Sequence, residues 1–175
     1  MTRRTLRAPT LSCVMPAYNE GRNLATVVPQ VLAALQALSP QAELVLVNDG
    51  SRDDTAAVAR ALCRAHPGVV LIDLSRNFGK EAALTAGLDA ARGEVVVLMD
   101  ADGQHPISML PEMLLKWEQG SDVVYAVRRT RHDQSALHAR LTRIFYRLIN
   151  WGNRVEIPPN AGDFRLMDRK VVEAL

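Results

Sequence analysis

Two carboxylates and an amide follow one short apolar run in this chain. The segment GEVVVLMDADGQHP carries Asp100, Asp102 and Gln104 at alternate positions. On an extended strand all three share one face. Where a turn loosens that alternation, at least one carboxylate and the amide can still meet the same cation. Hard oxygen donors of this kind suit Mg2+ or Mn2+ holding a phosphorylated substrate, so a metal-dependent enzyme is the leading expectation. The alternative is a pair of aspartates that only close a loop, since Asp and Gly favour turns. Haloacid-dehalogenase-type phosphatases also use D-x-D-G, but after the first strand of their domain and followed by Thr or Val. Here the run comes fourth and continues with Gln104.

Polar residues recur after each of the other apolar runs: Tyr18, Asn19 and Glu20; Asp49 and Gly50; Arg76 and Asn77; Arg128, Arg129 and Arg131. Asp49 can accept hydrogen bonds from a base or ribose, Glu20 can bond a ribose hydroxyl, and Tyr18 can stack or pack. Either carboxylate could instead serve the free N–H groups of a helix start. No G-x-G-x-x-G is present. Gly79-Lys80 is followed by Glu81, with no glycine five residues earlier, so the dinucleotide fingerprint and the P-loop both fail.

The elements that must position these groups alternate along the chain. Strand-like runs cover Leu11–Met15, Glu43–Asn48, Val69–Leu74, Glu94–Met99 and Asp122–Val127, and helical composition covers Glu20–Leu38, Asp53–His66, Lys80–Arg92 and Ile107–Gln119. Near-continuous apolar strands separated by helices predict an α/β fold: a mostly parallel sheet with helices on both faces, in a single domain. Ligands of such sheets bind outside the carboxyl ends of the strands, which is where the polar clusters fall. Ser51 followed by Asp54 reads as a helix start resembling a capping box, and the closing KVVEAL reads as a helix beginning.

Composition is consistent with this. The chain has 175 residues, 48% hydrophobic and 23% charged, enough for one core. A net charge of +2 offers no electrostatic case for nucleic acid. Cys13 and Cys63 sit in apolar segments and read as buried thiols of a reducing compartment. The basic start at Arg3, Arg4 and Arg7 lacks the apolar stretch of a secretory signal. No run reaches the ~18–20 apolar residues that cross a bilayer, so the chain as it stands is expected to be soluble.

PAYNEGRNL, VNDGSRDDT, RNFGKEAALTAGLDAARGE, DADGQHP and GDFRLMDR, in this order and spacing, resemble family 2 glycosyltransferases of the GT-A (Rossmann-like) fold. Within that family they are most similar to polyprenyl-phosphate sugar transferases, the bactoprenol glucosyltransferases and dolichol-phosphate mannosyltransferases. The resemblance runs from about Leu11 to Leu175. It implies a basic tail over residues 1–10 and a GT-A catalytic domain over 11–175 that continues into transmembrane helices. It places Pro16, Ala17, Tyr18, Glu20, Val47, Asp49, Asp100, Ala101, Asp102 and Arg128 around a donor nucleotide-sugar. Asp102 and Gln104 become the direct ligands of Mg2+ or Mn2+, and Asp163 and Arg165 fall where acceptor-side catalytic groups lie beside the catalytic Asp102. One departure stands out. Relatives often read DADLQDP, whereas this chain has Gly103 and His105; His105 either tunes the metal's surroundings or simply leads into Pro106.

The resemblance further implies inverting transfer of a hexose, glucose from UDP-glucose in the favoured reading, to an undecaprenyl-type phosphate at the cytoplasmic face of the bacterial inner membrane. GDP-mannose as donor, a sugar hydroxyl as acceptor and an inactive nucleotide-sugar binding module are the alternatives. The QxxRW pattern of processive polysaccharide synthases is absent from the chain. Arginine forks suit phosphate, making Arg128, Arg131 and Arg165 the acceptor candidates. In the Gln134–Asn150 segment, Leu137, Leu141, Ile144 and Leu148 form a helical stripe flanked by Arg140, Arg143 and Arg147. Such a helix either lies in a membrane interface or packs on the domain.

Overall fold

Runs as apolar as VVVLM need cover on both faces, and the alternation of side chains across each strand shows how they obtain it. The computed structural model describes residues 10–127 and 161–175. The strands are β1 (Leu11–Ala17), β2 (Ala42–Asn48), β3 (Val69–Asp73), β4 (Val95–Leu98), β5 (Val123–Val127) and β6 (Ala161–Asp168). The helices are α1 (Gly21–Leu38), α2 (Thr55–Ala65), α3 (Lys80–Ala90), α4 (Leu110–Glu118) and α5 (Arg169–Val172), with a 3-10 turn at Ile107–Met109. Leu11, Cys13 and Met15 of β1, Leu44 and Leu46 of β2, and Val95 and Val97 of β4 pack under α1, α2 and α4. Their neighbours Val14, Val45, Val47, Val96 and Leu98 pack on the other face, against Ala83 and Leu84 of α3. Gly87 is required there by close approach, because a Cβ would stand 2.3 Å from Val14 Cγ1.

The six strands lie in the order β3-β2-β1-β4-β6-β5. β1 pairs in parallel with β2 and β4, and β2 with β3. β6 is antiparallel to both β4 and β5, so β5 points the same way as the first four. The chain steps outward from β1 to β3 and then returns to β4 on the other side of β1. That reversal is the switch point where sheets of this kind open a crevice.

The expected elements lie within two residues of the observed ones, with two corrections. The sequence reading placed no strand at GDFRLMDR, yet β6 occupies the interior of the sheet. Phe164 and Leu166 face the larger core, Met167 the smaller one, and Arg165 sits opposite Leu98. Charged residues at alternate positions hid a strand that is apolar mainly on one face. The capping box at Ser51 and Asp54 does not form. Asp54 precedes α2 without a side-chain cap, while Asp53 Oδ1 accepts from the Thr55 N–H at 3.0 Å and from the Thr55 hydroxyl at 2.5 Å. Ser51 Oγ is used elsewhere, as an acceptor for the Asn19 N–H at 2.9 Å.

Candidate active site

At the switch point the carboxyl ends of β1, β2 and β4 border a cavity of about 350 Å³, within the range of metabolite sites. Its walls are Pro16, Ala17, Tyr18 and Glu20 after β1, Asp49 after β2, Asn77, Gly79, Lys80 and Ala83 around the start of α3, and Asp100, Ala101 and Asp102 after β4.

Each wall is held by a neighbouring loop. Asn19 adopts φ of 57°, a left-handed conformation that Asn tolerates, and its side-chain Oδ1 accepts from the Arg52 N–H at 2.9 Å. The Glu20 N–H donates to Thr55 Oγ1 at 2.9 Å. These bonds tie the β1–α1 loop to the β2–α2 loop. Glu20 occupies the N-cap position of α1 but makes no side-chain cap; its carboxylate accepts from Asn23 Nδ2 at 2.6 Å. The helix-start use considered for Glu20 is therefore not the observed one.

For Asp49 the opposite holds. Its side chain is buried, with Oδ1 accepting from the Phe78 N–H at 2.8 Å and Oδ2 from the Gly79 N–H at 3.0 Å. It thus anchors the turn that leads into α3 while still lining the cavity. Gly50 makes this approach possible: at its φ of +60° a Cβ would lie 2.1 Å from the Arg76 carbonyl carbon. On the solvent side of the same turn the Arg76 guanidinium lies 4.7 Å from the centre of the half-exposed Phe78 ring.

The acidic turn is organised from two sides. The Lys80 ammonium lies 2.7 Å from Asp100 Oδ1. The Asp100 N–H donates to His105 Nδ1 at 3.1 Å, and the His105 ring stacks on Phe164 of β6 at 5.1 Å and 11°. His105 is therefore a brace between the turn and the sheet, a role beyond leading into Pro106. Asp102 Oδ1 accepts from the Gln104 N–H at 2.9 Å, which closes the tight turn through Gly103 at φ of 72°.

Eight of the expected site residues thus meet at one cavity: Pro16, Ala17, Tyr18, Glu20, Asp49, Asp100, Ala101 and Asp102. Val47 does not join them. It is wholly buried and packs in the core beneath α3, so it supports the wall rather than forming it. Gln104 and Arg165 also stand outside the lining; the Arg165 Nε is buried and has no hydrogen-bond partner among the described residues. Asp163 falls in β6 by its backbone, while its side chain, Arg128, Arg131 and the Gln134–Asn150 segment lie outside the described residues. The sequence reading missed Lys80. In the sequence it stands out only as a failed P-loop lysine, and its place at a helix start is the available signal.

Charge decides what the cavity can hold. Glu20, Asp49, Asp100 and Asp102 bring four carboxylates to the described walls, against the single ammonium of Lys80. An anionic ligand such as a diphosphate would be repelled unless a cation entered with it. Among the described residues no three His, Cys, Asp or Glu side chains converge as a metal cage. Mg2+ is commonly held by one or two carboxylates with substrate phosphates completing its shell, and the Asp102 carboxylate on the cavity wall fits that pattern.

Comparison with known proteins identifies this sheet as the GT-A fold of glycosyltransferases. The model of glycosyl transferase family 2 matches residues 12–175, and the chain belongs to that family. It is 43% identical over 165 residues to an uncharacterised glycosyltransferase of Synechocystis, covering 94% of this chain and 52% of that protein. It is 42% identical over 164 residues to the bactoprenol glucosyl transferase of Shigella phage SfV, covering 93% and 53%. The chain therefore spans about half the length of these curated relatives. Among solved structures, a mannosyltransferase from Pyrobaculum calidifontis, in complex with GDP-Man and Mn2+, superposes with a TM-score of 0.66 at 23% identity, covering 95% of this chain and 46% of that one. Glucosyl-3-phosphoglycerate synthase of Mycobacterium tuberculosis, with Mn2+, UDP-glucose and phosphoglyceric acid, gives 0.65 at 23%, covering 93% and 58%. These likenesses establish the shared fold. No helix among the described residues is long and apolar enough to cross a membrane.

Proposed function

We propose that this chain is the catalytic domain of a polyprenyl-phosphate hexosyltransferase that takes glucose from UDP-glucose and places it, with inversion, on an undecaprenyl-type phosphate. The observation that carries the reading is the carboxylate-rich cavity at the β1–β4 switch point, in a chain more than 40% identical to a bactoprenol glucosyl transferase. Tyr18, Glu20 and Asp49 hold the nucleoside, and Asp100 its ribose. Asp102 and Gln104 hold Mg2+ or Mn2+, which when bound supplies charge neutralisation for the departing diphosphate. The acceptor attacks the anomeric carbon in line with that leaving group, through an oxocarbenium-like transition state.

A phosphate monoester has its second ionisation near ~6, so a lipid phosphate arrives largely deprotonated and needs little general-base help. Asp163 then orients the acceptor, and Arg128, Arg131 and Arg165 receive its phosphate by forked hydrogen bonds. The reaction takes place at the cytoplasmic face of the bacterial inner membrane, with the domain anchored by chain beyond the matched half of its relatives.

The test is transfer of radiolabelled glucose to undecaprenyl phosphate in detergent by the full-length protein. It is paired with a thermal-shift screen of UDP-, GDP- and dTDP-sugars with and without Mn2+. Lipid-linked product and the largest shift with UDP-glucose plus Mn2+ are expected. A larger shift with GDP-mannose would transfer the reading to a mannosyl donor. Donor binding without any lipid product would leave a binding module.

A further inference from the structure

Lys80 is the one described cation on the cavity wall, and it is already engaged. Its ammonium stands 2.7 Å from Asp100 Oδ1, where positive charge would have to collect for a diphosphate to enter. The main chain at Asp100 is held by its N–H bond to His105, and a carboxylate on one carbon has a short reach, so the lysine is the longer-reaching partner. Its side chain is 41% exposed and carries its charge on a flexible four-carbon stem, anchored at the first residue of α3.

We propose that Lys80 is a positioning residue that couples metal binding to diphosphate binding by exchanging partners. This rests on the nucleotide-sugar reading above. With the cavity empty of nucleotide, the ammonium neutralises Asp100, and a divalent cation arriving alone meets a site that already holds positive charge. When a nucleoside diphosphate enters, its oxygens offer Lys80 a new anionic partner. The lysine then turns to the diphosphate, and Asp100 is released to the field of the incoming cation. Metal and nucleotide therefore strengthen each other's binding, and by linkage the factor is the same in both directions. Nucleoside without phosphate gives the lysine no new partner and leaves the pair in place.

Isothermal titration of the full-length protein with Mn2+, UDP and uridine, singly and in pairs, tests this in the wild type, Lys80→Met and Lys80→Arg. Removing the competing cation should raise the affinity for Mn2+ alone, by about three- to tenfold for a partly exposed pair. The same Lys80→Met change should lower UDP affinity measured with saturating Mn2+ by about tenfold, a loss typical of one charge-assisted contact, and leave uridine binding unchanged. Lys80→Arg should keep most of the mutual enhancement. A merely structural role cannot strengthen one ligand while weakening the other. If Lys80→Met leaves both Mn2+ and UDP affinities as in the wild type, or weakens uridine equally, the exchange is wrong although the donor reading survives. If the wild type binds neither UDP nor uridine, the donor reading itself fails.

Discussion

The two ends of the sheet treat polar groups in opposite ways. At the amino end they close on one another. The Ser12 hydroxyl donates to Glu43 Oε1 at 2.6 Å and accepts from the Gly93 N–H at 2.7 Å, and the same Glu43 oxygen accepts from the Arg92 N–H at 2.7 Å. The Arg169 guanidinium donates to the carbonyls of Ala91 at 2.8 Å and Gly93 at 2.9 Å, clamping the turn from α3 to β4. At the carboxyl end, Glu20, Asp100 and Asp102 line the walls of a cavity. Residue type alone does not separate the two ends, since both are rich in Asp, Glu and Arg. What separates them is that the amino-end groups bond only within a closed network, whereas the carboxyl-end groups also face a cavity.

Asp102 puts this difference between the two ends to its strongest test. Asp102→Asn should lower sugar transfer about 10²–10³-fold, as loss of one transition-state charge contact does, while the unfolding free energy from urea titration stays within about 0.5 kcal/mol. A comparable loss of stability would make the acidic turn part of the closed network after all. Asp49 straddles both behaviours. Asp49→Ala leaves the Phe78 and Gly79 N–H groups without their acceptor and should cost about 2–3 kcal/mol in stability as well as donor affinity, read from urea unfolding and UDP titration. Retained stability would mean that the turn into α3 holds without it.

At the other end, Arg169→Ala should cost about 1–2 kcal/mol with no change in the UDP dissociation constant. A shifted constant would show that the two ends communicate. The smallest effect belongs to the core between them. Burial pushes the Cys13 thiol from 9.0 up to about 12. Because the folded value lies above the unfolded one, its contribution to stability is complete below pH 9 and is lost as pH rises toward 12. Between pH 8 and pH 10 the wild type should lose about 1 kcal/mol more than Cys13→Ala, and parallel pH profiles would place the thiol in contact with water.

Five strands and four helices were legible because their signal is hydrophobic periodicity, which depends on the sequence itself. β6 was not, because Arg165 interrupts its pattern and an antiparallel strand slotted between β4 and β5 depends on contacts far along the chain. The cavity's acidic residues were legible from their place after apolar runs. The burial of Val47, the N–H bonds of Asp49 and the Lys80–Asp100 pair were not, because each is set by the packing of α3 on the sheet. The brace from His105 to Phe164 joins two motifs that the sequence shows only as separate.

The reversed direction of β6 has a consequence for how the molecule can vary. β5 leaves the sheet at Val127, and β6 enters it opposite at Ala161, at the same end as the cavity. The chain thus leaves the sheet and re-enters it at paired positions, Val127 opposite Ala161. The sequence between these two positions can lengthen, shorten or change chemistry without moving the register of any strand. The six strands thus form a fixed frame against which the chemistry of residues 128–160 is free to vary.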